Sequence, residues 1–335
     1  MTVTAKMIAK ELGISESAVS IALNNKKGVS SQTRRKIIDT AKSLGYNFDF
    51  RRSVINGKKG NICFVIYKKS GAVVSDTPFF VELSEGISAG CKSEHYDCYF
   101  RYLYEDENIF RQIYKLDSSD FAGIILLATE MDENSLKNFR GLRTPILILD
   151  AYFEKLEYNY VIINNIQGAF TATEYLLKKR KKQPGYLRSS FPIGNFFQRA
   201  DGFYKAIREN GMPTSKSIVH YLTPSQDGAY DDMKKLLIAG EEPANCYFAD
   251  NDLIAAGALQ AFKEFGYRVP EDIAIIGFDD LPLCEYVLPS LSTIEVPKYF
   301  MGETSAMRMI QIIEKKNTLP IKIEVSTKII IRKST

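Results

Sequence analysis

The stretch VTAKMIAKELGISESAVSIALNNKKGVS, residues 3–30, reads as two short capped helices joined by a tight turn. Thr4 suits the N-cap of a helix running to Glu11, with Ile8, Ala9 and Leu12 as its apolar stripe and Gly13 as the turn. Ser15 caps a second helix, in which Val19, Ala22 and Leu23 recur at the i, i+3, i+4 spacing of a buried face. Glu16, Ser17, Ser20 and Ile21 are left outward near its N-terminal end, the end that a helix-turn-helix presents to a major groove. Beyond the turn Ser30 caps a third helix, whose Ile37, Ile38, Ala41 and Leu44 are expected to close a three-helix core before Gly45 ends it.

Charge divides the chain at the same place. Through residue 57 there are ten Lys or Arg against four acids, a net of +6, whereas the whole 335-residue chain carries only +4. A basic head on a near-neutral body is the distribution expected when only the head meets phosphates. The chain is long enough for a small head and two core-bearing lobes. It shows neither a basic and apolar leader nor a run of 18 apolar residues, so a cytoplasmic protein with no membrane contact is expected. Cys63, Cys91, Cys98, Cys246 and Cys284 lack metal-ligand spacing and read as reduced thiols; neither a metal nor a cofactor is expected.

From Asn61 onward short apolar runs (62–67, 98–103, 123–128, 146–150, 160–163, 185–188, 218–222, 246–249, 273–278) alternate with longer amphipathic ones (80–94, 167–179, 195–209, 230–237, 253–265, 299–315). This predicts an α/β body of parallel sheets covered by helices. A break near Asn164 divides it into two Rossmann-like lobes, with a ligand cleft at the carboxyl ends of their strands. Asp150, the run 250–252 and the run 277–280 each put carboxylates or amides at such an end, and Arg199 adds a forked donor for hydroxyl pairs or a carboxylate. Plainer roles compete: Asp250 and Asp252 as helix caps, Phe80 and Phe278 as core, Arg199 in an internal ion pair. Gly86-Ile87-Ser88-Ala89-Gly90 has the spacing of a nucleophile elbow, but Phe80, Leu83, Ile87 and Cys91 around it keep the period of one continuous helix. Asp279 and Asp280 are adjacent and cannot flank one glycosidic bond. The basic run 178–182 suits a helix C-terminus. No catalytic residue is assigned.

Residues 3–24, then Gly28-Val29-Ser30, Thr33-Arg34 and Leu44-Gly45-Tyr46, resemble the headpiece of LacI/GalR-family transcriptional regulators. The run 78–80, the run 198–203, the runs 249–252 and 255–257, and the run 269–273 followed by 277–280 resemble that family's effector-core signatures. The resemblance implies a homodimeric repressor whose headpieces bind a pseudo-palindromic operator. It also implies a periplasmic-binding-protein-like body in which a small effector, a sugar or sugar derivative, modulates operator affinity. Domains are expected at 1–46 (headpiece), 47–60 (hinge) and 61–335 (body), the first lobe spanning 61–163 with 292–325 and the second 164–291 with 326–335. For the DNA interface the implied residues are Thr4, Ser15, Glu16, Ser17, Ser20, Ile21, Asn24, Ser30, Thr33, Arg34, Arg51, Arg52 and Ile55. For the effector they are Phe79, Phe80, Asp150, Phe196, Arg199, Asn251, Phe278 and Asp279. Ile55 falls where the family's minor-groove wedge sits, although Phe48, Asp49 and Arg52 depart from the usual hinge residues. Ile21 replaces a polar or basic residue, so contact with a thymine methyl, or none, is expected there. The alternatives are a two-lobed sugar-transport protein, disfavoured by the headpiece, and a doubly wound enzyme.

Overall fold

The computed structural model describes residues 3–23, 28–46, 58–74, 78–315 and 319–335. It divides between Gly60 and Asn61 into a headpiece and a body, each compact in itself. In the headpiece lie α1 (Ala5–Leu12), α2 (Glu16–Leu23) and α3 (Ser31–Ser43). Each start is closed by a hydroxyl: Thr4 Oγ1 accepts from Met7 N (3.3 Å), Ser15 Oγ from Ala18 N (3.2 Å) and Ser30 Oγ from Thr33 N (3.1 Å). Gly13, with φ 63°, ends α1 in the left-handed region that favours glycine. Ile8, Ala9, Val19, Ala22, Ile37 and Ala41 form the buried core. Neither half-buried Ile38 nor Leu44 joins it. The helix is capped at Leu44 itself, Tyr46 N turns back to Ala41 O (2.8 Å), and Tyr46 supplies the packing while Leu44 stays 37% exposed.

In the body the elements run β1 (Gly60–Lys68), α4 (Pro78–Ser93), β2 (Tyr96–Tyr104), α5 (Ile109–Asp117), β3 (Gly123–Leu127), α6 (Glu133–Lys137), β4 (Ile146–Leu149), β5 (Asn159–Ile163), α7 (Asn165–Arg180), β6 (Gly185–Ser189), α8 (Gly194–Glu209), β7 (Val219–Leu222), α9 (Gln226–Ile238), β8 (Cys246–Ala249), α10 (Asp252–Glu264), β9 (Ala274–Ile276), α11 (Leu283–Tyr286), β10 (Thr293–Glu295), α12 (Lys298–Lys315), β11 (Lys322–Val325) and β12 (Lys328–Ile330). Among the described residues two main sheets result, ordered β11-β5-β4-β3-β1-β2 and β7-β6-β8-β9, with a small two-stranded sheet β10-β12 beside the second. From β1 through β3, β4 and β5 to β11 the pairing is parallel, as it is throughout the second sheet. Strands β3 and β5 are buried along their whole length, which is why β3 and residues 160–163 of β5 are apolar without alternation.

The lobe boundary differs from expectation at one point. Residues 292–296 continue the second lobe: Gly277 N donates to Ser292 O (2.9 Å), Asp279 N to Ile294 O (2.8 Å), and β10 pairs antiparallel with β12. Leu291, Ile294 and Val296 find their burial beside β9, so the chain recrosses only at Pro297. Helix α12 then packs along α4. A Cβ at Gly86 would overlap the Tyr299 carbonyl oxygen, and one at Gly302 would overlap that of Leu83. The glycines of the elbow-like motif therefore serve helix packing, and Ser88 lies exposed inside a continuous helix.

Candidate functional site

The headpiece offers the N-terminal half of α2. Glu16 and Ser17 are exposed there, and Ser20 and Ile21 are half-buried. Ile21 leans on the turn at Gly28, where a Cβ would lie 3.4 Å from Ile21 Cδ1. Thr4, Ser15 and Ser30 direct their hydroxyls at their own helix N-termini, and Thr33 Oγ1 hydrogen-bonds Ser30 Oγ (2.7 Å). Arg34 has a structural role within the headpiece. Its Nη1 donates to Ala22 O (2.9 Å) and Ile21 O (3.4 Å), so its guanidinium closes the C-terminal end of α2. Arg34→Ala is expected to cost the headpiece about 1.5–3 kcal/mol, the range for hydrogen bonds to a charged group, read as an earlier headpiece melting transition. Asn24, Arg51, Arg52 and Ile55 lie outside the described residues.

In the body the carboxyl ends of both sheets face one pocket. Asp150 ends β4 with φ 60°, and Asp279 follows β9 with φ 110°; both are strained backbone positions for a residue with a side chain, which is characteristic of functional sites. Asp150 accepts from Thr129 Oγ1 (2.6 Å) and from Asn195 Nδ2 (3.0 Å), and the same amide also donates to the Asp150 carbonyl (3.1 Å). Asn195, on the second lobe, thereby ties itself to the end of a first-lobe strand. Burial pushes the Asp150 carboxyl up to about 6, against the opposing hydrogen bond from Thr129 and the charge of Arg199.

Arg199 is the hub of the second lobe. Its Nε donates to Asn165 Oδ1 (2.9 Å), Nη1 to the Asp250 carbonyl, and Nη2 to Asp279 Oδ1 (3.1 Å). The guanidinium lies 3.7 Å from the Phe278 ring centroid and 5.5 Å from that of Phe196. The ion-pair role and the pocket role of Arg199 thus coincide. Asn251 Oδ1 accepts from Ile254 N (2.9 Å) as the cap of α10, which leaves the amide nitrogen as the group it can offer a ligand. Asp250 and Asp252 do not cap that helix. Asp250 accepts from Tyr186 Oη and Ser189 N (2.7 Å), Asp252 from Leu281 N (2.8 Å) and Thr293 Oγ1 (2.5 Å), so both knit strand ends together. Burial raises them to about 6 and about 7.

Seven of the eight expected effector residues line the pocket: Phe79, Phe80, Asp150, Phe196, Arg199, Asn251 and Asp279. Phe278 does not; it is fully buried beneath Arg199 and packs edge-on against Phe248. Thr129, Asn195, Val73, Ile193, Pro224, Leu253 and Leu281 complete the lining, and sequence reasoning singles out none of them as a site residue. For Asn195 a signal exists, four residues before Arg199 on one helix face. Among the described residues no cluster of three or more His, Cys, Asp or Glu could hold a metal, and no helix is long and apolar enough to cross a membrane. The five cysteines are unpaired.

The family model for bacterial regulatory proteins of the lacI family matches residues 4–48, and that for a periplasmic binding protein-like domain matches residues 173–335. An HTH-type transcriptional repressor PurR of Mannheimia succiniciproducens is 28% identical over 337 residues, covering 99% of this chain and 98% of that protein. The ribose operon repressor of Halalkalibacterium halodurans is 29% identical, covering 99% and 97%. Among solved structures, the complex of the transcriptional regulator CelR with cellobiose superposes with a TM-score of 0.75 at 22% identity, covering 99% of this chain and 100% of the other, a likeness of fold.

Proposed function

The chain belongs to the LacI family of bacterial regulatory proteins and is a DNA-binding transcriptional regulator; on that premise we propose that it is a cytoplasmic homodimeric repressor whose pseudo-palindromic operator is released or held according to a sugar bound between its lobes. One observation carries the reading: the polar groups of the pocket come from both sheets, with Thr129 and Asp150 on one side and Asn195, Arg199, Asn251 and Asp279 on the other. A ligand that spans them favours one relative arrangement of the lobes, and its differential affinity for the arrangements is what operator affinity reports. Carboxylate and amide groups beside the Phe79, Phe80 and Phe196 rings suit hydroxyls set on an apolar sugar face. No catalytic step forms part of the proposal.

The second copy has a surface to cover. Strand β2 is the edge of its sheet and exposes Tyr99, Phe100, Tyr102 and Tyr104, while neighbouring α5 exposes Phe110 and Tyr114 at 70% and 73%. An unpaired aromatic edge of this kind is an association surface. We assign it to the dimer.

Selection of duplex DNA from a random pool by the full chain at moderate salt is expected to enrich a two-fold symmetric site, with affinity falling steeply as salt rises. Enrichment of no symmetric sequence would overturn the reading. A panel of sugars that includes D-ribose and cellobiose then identifies the molecule that changes operator affinity. Its binding should depend on pH in a defined direction. A hydroxyl donating to Asp150 stabilises the ionised carboxylate, so the complex holds fewer protons than the free protein. Affinity is therefore highest above about 6, the value to which burial has raised that group, and falls as pH drops below it. Titrations at pH 5 and 7.5 check this, and Asp150→Asn should flatten the dependence.

A further inference from the structure

Another buried carboxylate bears on the pocket only indirectly. Glu130, in the turn after β3, is 3% exposed. Its Oε2 accepts from the backbone N–H groups of Lys69 (2.9 Å), Ser70 (3.0 Å) and Gly71 (2.9 Å), and its Oε1 from those of Val73 (2.8 Å) and Val74 (2.9 Å). The one remaining amide of the segment, Ala72 N, donates to Ser70 Oγ (3.1 Å). Six consecutive residues after β1 thus have their backbone donors satisfied by two side chains, with no helix or strand ladder. The shape of this strap is set by an acceptor some sixty residues away. At one end Val74 is buried in the first-lobe core, and Val73 beside it lines the pocket.

We propose that Glu130 is a positioning residue for ligand binding: its carboxylate holds residues 69–74 in a closed strap and so sets the first-lobe wall of the pocket through Val73. A carboxylate is the side chain suited to this. It offers acceptor sites on both oxygens, and the charge strengthens every N–H bond it receives. Those backbone bonds outweigh the burial that opposes ionisation and hold the group below the usual glutamate range. A glutamine of the same shape keeps one acceptor oxygen and turns an NH2 toward two or three facing N–H groups. The strap then has no internal partner for those donors, and it opens toward water, carrying Val73 away from the pocket. The proposal rests on reading this pocket as the effector site, but its test uses no effector, so the two fail separately.

In the full chain, Val73→Cys places a thiol on the wall, and its alkylation by iodoacetamide, localised by mass spectrometry, measures how closed the wall is. Adding Glu130→Gln is expected to speed alkylation at residue 73 at least tenfold. Amide hydrogen exchange of residues 69–74 should rise at least a hundredfold while residues 123–127 and 146–149 keep their protection and operator affinity stays within twofold. That confinement separates positioning from a general loss of fold. Unchanged rates at residue 73, or protection lost throughout the first sheet, overturn the proposal. Should Glu130→Gln not fold, Gly71→Ala serves instead. It leaves the core alone but forces a side chain onto a residue with φ 72°, and it must also speed alkylation at residue 73. A Gly71→Ala rate equal to that of the parent overturns the proposal.

Discussion

Replacing Arg199 by alanine is expected to lower the stability of the body by about 3–5 kcal/mol, the range for removing one partner of a buried ion pair, and to abolish the effector response at the same time. The pair with Asp279 is 3.1 Å long between side chains 4% and 14% exposed. Its loss also leaves the Asp250 carbonyl and Asn165 Oδ1 without their donor. For a body of this size the drop in melting temperature is roughly 10 °C. Arg199→Lys should recover little. A single ammonium cannot meet three divergent acceptors while lying flat on Phe278. Asp150→Asn separates the two effects, since it removes a carboxylate whose ionisation burial opposes, and so weakens the sugar response with little change in melting temperature. Thermal melts and effector-dependent operator release, measured together on the three variants, distinguish a structural hub that binds from a residue that only binds. A parent-like melt with an intact response in Arg199→Ala would refute both roles.

What the sequence makes legible follows from range. The headpiece caps are local: Thr4, Ser15 and Ser30 bind amides three residues away, and the side-chain type announces the geometry. Asp150, Asn251 and Asp279 are legible as lining of one pocket because they follow strand ends at a doubly wound sheet's carboxyl edge, and Arg199 reaches the same pocket from α8. Asn195 is marked only as the residue one turn before Arg199 on the same helix face, and Glu130 is not marked. Their partners lie 45 and 56 residues away, at Asp150 and Val74, and no local pattern records those contacts. Strands β10 and β12, of three residues each, are too short for periodicity to mark, which is why the sequence puts the lobe crossing at 292 and the structure puts it at 297. Phe278 misleads because a residue type that suits a ligand also suits the support behind it, and only the fold shows that its ring is already engaged under Arg199.

Gly86→Ala is expected to be among the most damaging single-methyl changes in the body. The added Cβ would overlap the Tyr299 carbonyl oxygen, and the obstacle is helical backbone, which cannot swing aside as a long side chain does. Overpacking of a well-filled core costs about 1–3 kcal/mol, and a collision with backbone belongs at or above the top of that range. The consequence extends to the pocket. Helix α4 begins with Phe79 and Phe80 on the pocket wall, and α12 begins with Lys298, whose Nζ donates to the carbonyls of Asp279 (2.8 Å) and Asp280 (3.2 Å). Parting α4 from α12 therefore displaces a first-lobe wall relative to the second-lobe turn that carries Asp279. Gly86→Ala should both melt early and respond weakly to effector, while Gly141→Ala, where nothing lies within 4 Å of the new methyl, should match the parent in both. A Gly86→Ala protein with parental melting temperature would show that the helix contact is looser than the close backbone approach requires.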